Sequence, residues 1–362
     1  MTKKLYITEE DRERALLFGV IHSNQEDLDY QLTELENLAS TAGVEVVDCD
    51  HQLVKQITPA TYIGSGKIEE LKEKVDNLNI DVVIFDQALT GSQTKNISNE
   101  LGCKVIDRIT LILDIFASRA TTNEGKLQVA LAQVKYVLPR LSQMQGTSGR
   151  FGLGGVGSRG PGETKLETDK RVIEKNVMSL EKQLREIQKQ RDVKTSSRQN
   201  SNKIKVAIVG YTNAGKSTLL NTISKANIYA DDKLFATLET TSRNVWLGLG
   251  KEIILTDTVG FISKLPHELI HAFKSTLEEA SYADIILHVI DASSKNRDEQ
   301  IEVVEQVLDE IGAKAPVIMV YNKCDKIHVL PKTAENTICI SASQNKGIDE
   351  LKEIICELID KL

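Results

Sequence analysis

A nine-residue segment beginning at Gly210, GYTNAGKST, leaves this chain few architectures to choose from. It fits the spacing G-x-x-x-x-G-K-[ST], with the apolar run KVAIVG before it and helix-forming residues after it. Its backbone N–H groups must turn inward at the positive end of the following helix, where they form a ready cradle for phosphate. A strand–loop–helix unit on a parallel sheet provides that geometry. The spacing makes Gly210, Tyr211, Thr212, Asn213, Ala214 and Gly215 the wall of a nucleotide site. Lys216 is then placed to reach the β- and γ-phosphates, and the Ser217 hydroxyl to hold Mg²⁺.

Three further elements follow in the order such a site needs. DTVG (Asp257, Thr258, Val259, Gly260) ends the strand-like run EIILTDT; its carboxylate can hold Mg²⁺ through a water, and Gly260 leaves a backbone N–H free to approach the γ-phosphate. NKCD (Asn322, Lys323, Cys324, Asp325) follows PVIMVY. The Asp325 carboxylate can accept two N–H groups from the Watson–Crick edge of guanine, a pair adenine lacks, while the Lys323 stem packs on the base. SAS (Ser341, Ala342, Ser343) can offer the Ala342 N–H to the guanine carbonyl, so the ligand expected is GTP or GDP. Between the phosphate loop and DTVG, Thr237, Thr240 and Thr241 all have the spacing to complete the magnesium shell. The position after DTVG, where Ras-like GTPases carry a water-positioning Gln, is Phe261, which cannot orient water; no catalytic side chain is therefore certain, and slow hydrolysis is expected without a partner. Arg243 is either a cis arginine finger or a plain surface side chain, and Asn213 either a K⁺ ligand or a cap for the loop.

The 362 residues suit two or three domains. Strand-like runs at 15–21, 44–50, 81–86 and 103–107 alternate with helical patterns near 27–42, 66–78 and 93–101, which predicts an N-terminal parallel-sheet α/β domain over 1–120. Leu127, Leu131, Val134, Leu138 and Leu141 repeat at helical spacing, as do Ile173, Val177, Leu180, Leu184 and Ile187. Each stripe needs a partner, so the spacing predicts an antiparallel helical hairpin over 121–200, kinked near Pro139 and carrying a glycine-rich loop at 146–163. Thr164 and Glu167 read as a capping pair after that loop, and the polar stretch 193–203 as a linker. A Ras-like P-loop GTPase domain is expected over 201–362.

The chain is acidic, at −7, yet residues 140–205 hold 15 Lys and Arg against 7 Asp and Glu, leaving 30 against 45 elsewhere. A basic middle points either to a polyanion-facing surface or to a solvated helix. The five cysteines form no C-x-x-C pair, which argues against zinc. The opening residues lack the apolar core of a signal peptide and no run is long enough to span a membrane, so a cytoplasmic protein is expected, and a monomer is expected.

With these motifs placed, the chain resembles the HflX family of ribosome-associated GTPases over essentially its whole length. The most specific mark is GGVGSRGPGETKLETDKR (154–171), with TYIGSGKIEEL (61–71), FATLE (235–239) and Phe261 in support. The resemblance implies that Phe235, Ala236, Thr237, Leu238 and Glu239 form the switch segment, with Thr237 the magnesium ligand. It implies binding of the large (50S) ribosomal subunit and its rRNA in the GTP state, and dissociation or rescue of stalled ribosomes under stress. Some members carry a further C-terminal domain, which this sequence, stopping at Leu362, does not show. Some bind ATP through the N-terminal domain; IGSGK (63–67) invites that reading but lacks full phosphate-loop spacing and fits a helix start as well. The alternatives from other classes are a GTPase of ribosome or RNA maturation and a nucleotide-gated scaffold with little turnover.

Overall fold

The computed structural model describes residues 12–21, 25–145, 161–198, 203–224, 234–235, 241–248, 250–263, 279–329 and 335–362. The chain forms two compact units: Met1–Ile115 with Val137–Thr168, and Phe116–Tyr136 with Asp169–Leu362.

The first unit alternates strand and helix: β1 (Arg14–Ile21), α1 (Gln25–Thr41), β2 (Glu45–Leu53), α2 (Ser65–Leu78), β3 (Val82–Phe85), α3 (Gly91–Leu101), β4 (Lys104–Asp107) and the first part of α4 (Arg108–Arg119), whose residues from Phe116 on belong to the second unit. The strands are all parallel in the order β2-β1-β3-β4. β1 and β3 are apolar on both faces because helices cover both, the reason these runs do not alternate. The α3 helix begins two residues before the sequence pattern suggests. Thr90 and Gln93 form a reciprocal capping box, the Gln93 N–H donating to the Thr90 hydroxyl at 3.3 Å and the Thr90 N–H to Gln93 Oε1 at 2.9 Å. The stretch 63–67 is the entry to α2, and Lys67 there pairs with Asp50 at 3.0 Å and Glu70 at 2.8 Å. Helix α4, which carries no sequence expectation, brings Arg108 into the interior, 1 % exposed, where it pairs with Glu34 and, at 2.8 Å, with Asp86.

In the second unit six described strands form one sheet in the order β10-β9-β8-β5-β7-β6. They are β5 (Ile204–Gly210), β6 (Thr241–Gly248), β7 (Lys251–Asp257), β8 (Ile285–Asp291), β9 (Val317–Asn322) and β10 (Thr337–Cys339). All pairings are parallel except β6 with β7. Strand β6 escapes the sequence reading because only Val245 of it is buried; the rest of its length is held by the hairpin with β7. Helices α7 (Lys216–Ser224), α8 (Arg297–Glu310) and α9 (Ile348–Ile359) accompany the sheet. Val206, Ile208, Leu255 and Leu287 pack with Leu219 and Leu351 on one face; Ala207, Val209 and Ile286 pack with Phe261 and Val304 on the other. The result is a P-loop GTPase fold with the carboxyl ends of β5, β7, β8 and β9 on one edge.

Two long helices complete the chain, α5 (Asn123–Gln145) and α6 (Pro161–Arg198). Ile173, Val177, Leu180, Leu184 and Ile187 are each half-buried, and among the described residues of α6 most of their neighbours are exposed. Lys135 of α5 meets Glu181 of α6 at 2.8 Å. The α6 boundaries differ from the sequence expectation. The helix starts at Pro161, whose fixed φ suits a first turn, so Thr164 lies inside it rather than capping it. It runs on through Arg198, so most of the expected linker is helical. Helix α5 continues through Pro139 to Gln145. The glycine-rich segment 146–160 lies outside the described residues, and 161–163 belong to α6. Among the described residues no helix is long and apolar enough to cross a membrane.

Candidate nucleotide site

The loop between β5 and α7 is held by its neighbours on three sides. Gly210 leaves β5 with φ +154°, and a Cβ there would run into the Val289 carbonyl of β8. Gly215 has φ +93°, and its missing side chain leaves room for the Asn322 amide. Asn322 is 2 % exposed and joins two loops: its Nδ2 donates to the Ala214 carbonyl at 2.9 Å, and its Oδ1 accepts the Ala342 N–H at 3.0 Å. Asn213 also adopts a left-handed φ of 59° and is exposed; its carbonyl accepts from Lys323 Nζ at 2.7 Å.

The DTVG segment lies along the same loop. The Thr212 N–H donates to the Phe261 carbonyl at 2.7 Å and the Phe261 N–H to the Gly210 carbonyl at 3.1 Å, a parallel bridge between the two segments. The Ser263 N–H donates to the Tyr211 hydroxyl at 2.7 Å, and the Thr258 hydroxyl to the Ile208 carbonyl at 2.7 Å. Thr258 and Val259 are buried. A Cβ on Gly260 would lie 2.9 Å from Thr212 Cγ2 and 3.0 Å from Lys216 Nζ, so only a glycine backbone comes this close to the lysine. The Phe261 side chain is 2 % exposed in the apolar cluster with Val209 and Ile286. It is a core residue, whereas Gly260 beside it borders Lys216.

Lys216 is 6 % exposed, and its Nζ donates to the Gly210 and Tyr211 carbonyls at 3.1 and 2.8 Å. Burial lowers its pKa to about 8; Asp257 opposes that shift and Lys323 adds to it. Beneath the loop, His288 of β8 is 1 % exposed, and burial, with the Lys216 charge, lowers it to about 4, so it is neutral at physiological pH. The Ser217 hydroxyl donates to Asp257 Oδ2 at 2.7 Å. A hydroxyl and a carboxylate converging at the end of β7 form a hard, all-oxygen donor set with one negative charge, the chemistry that suits Mg²⁺. Among the described residues no cluster of three or more His, Cys, Asp or Glu side chains is placed to hold another metal.

The base-reading elements stand at the ends of β9 and β10. Lys323 has φ 61°, which turns the chain into a short 3-10 turn, Cys324–Lys326. Asp325 is exposed, and a hydrogen bond from Ser341 holds its carboxyl below the usual value. Ser341 and Ser343 hydroxyls lie 3.3 Å apart. The Cys324 thiol donates to the Tyr321 carbonyl at 3.2 Å, and burial, with Cys339 beside it, pushes it up to about 12, an inert group. The Ala342 N–H donates to Asn322 Oδ1 at 3.0 Å. Phe235 is buried against Phe116 with ring centroids 4.7 Å apart, and Thr241 and the exposed Arg243 belong to β6. Ala236, Thr237, Leu238, Glu239 and Thr240 lie outside the described residues. Asp291 and His288 both stand in DIILHVIDA, the strand beside the phosphate loop, and nothing in spacing marks them.

Three family models match successive stretches of the chain: "GTP-binding GTPase N-terminal" over 29–117, "GTP-binding GTPase Middle Region" over 119–198 and "50S ribosome-binding GTPase" over 205–323. The chain is 52 % identical over 346 residues to "GTPase HflX" of Caldanaerobacter subterraneus subsp. tengcongensis, covering 95 % of this chain and 80 % of that protein. It is 42 % identical over 353 residues to "GTPase HflX" of Escherichia coli, covering 95 % and 82 %. Among solved structures it resembles the GDP complex of SsGBP, with TM-score 0.55, 27 % identity and coverage of 96 % and 99 %. A GTP-binding protein of Sulfolobus solfataricus in complex with GDP gives TM-score 0.51, 25 % identity and the same coverage.

Proposed function

The chain belongs to the HflX family of GTPases, and from that premise we propose that it binds the 50S ribosomal subunit in its GTP state and dissociates or rescues stalled ribosomes under stress, in the cytoplasm. Turnover is slow on its own and rises when the ribosome is bound. The observation that carries this reading is Phe261, whose buried ring and bridge to the phosphate loop leave the chain without a side chain to orient water at that place.

The roles within the site are read from the motif spacing and the resemblance, and the contacts of Lys216, Ser217 and Asp257 support them. The N–H groups of Gly210–Ser217 and the Lys216 ammonium hold the β- and γ-phosphates, exchanging loop carbonyls for phosphate oxygens as partners of Nζ. Ser217 would hold Mg²⁺ and Asp257 would hold it through a water, with Thr237 the further ligand that the family resemblance implies; the ion would neutralise charge on the phosphate oxygens. Gly260 offers its N–H to the γ-phosphate beside Lys216, so the following segment responds to whether that phosphate is present. Asp325, Lys323 and the Ser341–Ser343 loop select guanine. Asn213 is the candidate for a K⁺ ligand, tested by comparing hydrolysis in KCl and NaCl. The basic stretch 140–205 faces rRNA, and its binding falls steeply with salt.

Sucrose-gradient sedimentation with ribosomes plus GDP or a non-hydrolysable GTP analogue tests the proposal. Co-migration with the large subunit and loss of 70S particles in the GTP-analogue arm are expected. Equal sedimentation in both arms would overturn it. The burial of Phe261 also favours a second reading, a nucleotide-gated scaffold, which hydrolysis unchanged by added ribosomes would select.

A further inference from the structure

Asp291 ends β8 directly across from Asn322, which ends β9. Both its carboxylate oxygens are engaged. Oδ1 accepts the Ser293 N–H at 2.9 Å and the Ser293 hydroxyl at 2.6 Å, and Oδ2 accepts from Lys323 Nζ at 2.7 Å. The Ser293 bonds fix the direction of the carboxylate; the pair with Lys323 is four-fifths buried on both sides, 20 % exposed each, which limits screening by salt. Lys323 Nζ has a second bond, to the Asn213 carbonyl of the phosphate loop, also at 2.7 Å. The lysine therefore spans from the end of β8 to the phosphate loop, and it does so from a left-handed backbone, φ 61°, that a residue with a Cβ holds only when its surroundings over-determine it. Asp325, the guanine reader, is two residues further on.

We propose that Asp291 is a positioning residue for guanine recognition: by anchoring Lys323 it fixes the left-handed turn that aims Asp325 and ties the base-reading loop to the phosphate loop. This rests on the nucleotide-site reading given above. The Lys323 ammonium has three donors; one goes to Asp291 and one to Asn213, and both bonds must persist for the turn to keep one direction. A neutral Asn at 291 removes the opposite charge from the pair and leaves Lys323 Nζ a weaker, neutral acceptor, so the turn would sample directions in which Asp325 misses the base.

The test is release of N-methylanthraniloyl-GDP and of the corresponding inosine nucleotide, which lacks the 2-amino group, from the full chain. Asp291→Asn should speed GDP release about tenfold while changing inosine-nucleotide release by less than about threefold, so the guanine preference shrinks. Lys323→Met should behave alike, and the double variant should be no faster than either single one, because both remove the same link. Asp291→Glu, which keeps the charge, should restore part of the preference. Release of GDP at the wild-type rate from Asp291→Asn, an equal effect on both nucleotides, or multiplying effects in the double variant would each overturn the proposal. If Asp291→Asn does not fold, Ser293→Ala is the substitute: it removes the hydroxyl bond and leaves the Ser293 N–H as the remaining Ser293 anchor of the carboxylate, and a two- to threefold loss of guanine preference is expected, with no loss refuting it. A wild-type chain that binds neither nucleotide would instead refute the nucleotide-site reading itself.

Discussion

Replacing Asn322 by Ala removes the side chain that joins the phosphate loop to the loop after β10. Two backbone groups lose their partners, the Ala214 carbonyl and the Ala342 N–H, and both residues are at most 3 % exposed. Water cannot replace the lost bonds without opening the fold. An orphaned buried polar group costs about 1–3 kcal/mol, so the pair should cost about 2–6 kcal/mol. That is a large share of the ~5–15 kcal/mol that holds a typical domain together. Asn322→Asp is the informative companion. It keeps an acceptor for the Ala342 N–H but sets an oxygen against the Ala214 carbonyl, so the Ala342 half of the link survives and the Ala214 half does not. Urea unfolding followed through Trp246, the sole tryptophan and a residue of β6, reports on the second unit. Amide exchange at Ala342 reports on the bond itself, and should quicken in Asn322→Ala and stay slow in Asn322→Asp. A midpoint shift worth less than about 0.5 kcal/mol for Asn322→Ala, with Ala342 exchange unchanged, would refute the reasoning, since a surface-like substitution behaves that way.

Other perturbations follow from the same structure. Phe261→Gln should not raise single-turnover GTP hydrolysis, because position 261 points into the apolar cluster; it should cost about 3 kcal/mol on thermal or urea unfolding, and a tenfold faster hydrolysis would count against that placement. Arg108→Ala removes the cation that Glu34 and Asp86 pair with inside the first unit and should cost about 3–5 kcal/mol in denaturation, whereas Arg108→Lys should cost less by keeping one charge contact. Lys216 has opposite pH effects on stability and on binding. Its folded pKa of about 8 lies below the ordinary 10.5, so the unfolded chain binds more protons between those values, and stability without nucleotide should rise by about 3 kcal/mol from pH 8 to 10.5. Phosphate binding needs the charged form, so GDP affinity should fall over the same range, and Lys216→Met should remove both trends in titrations of melting temperature and affinity.

The motifs and the alternation of strands with helices are local properties, and the sequence is sufficient to read them. Spacing alone locates Gly210–Ser217, DTVG, NKCD and the apolar stripe of α6, because phosphate loops and helical faces are set by neighbours a few residues away. The ends of elements depend on finer chemistry: a capping box moves α3 earlier, and Pro161 starts α6 where the charged stretch suggested a later cap. Strand β6 has almost no buried face of its own and exists because β7 lends it hydrogen bonds. Phe261 reads in sequence as a missing glutamine; only packing turns it into a core residue that fastens DTVG to the phosphate loop. Asp291, His288 and the double role of Asn322 are invisible to spacing, since each gains meaning from a strand lying beside its own. Sequence by itself determined which chemistry the chain can carry; the parallel sheet, by bringing the carboxyl ends of β5, β7, β8 and β9 to one edge, decided which side chains meet there.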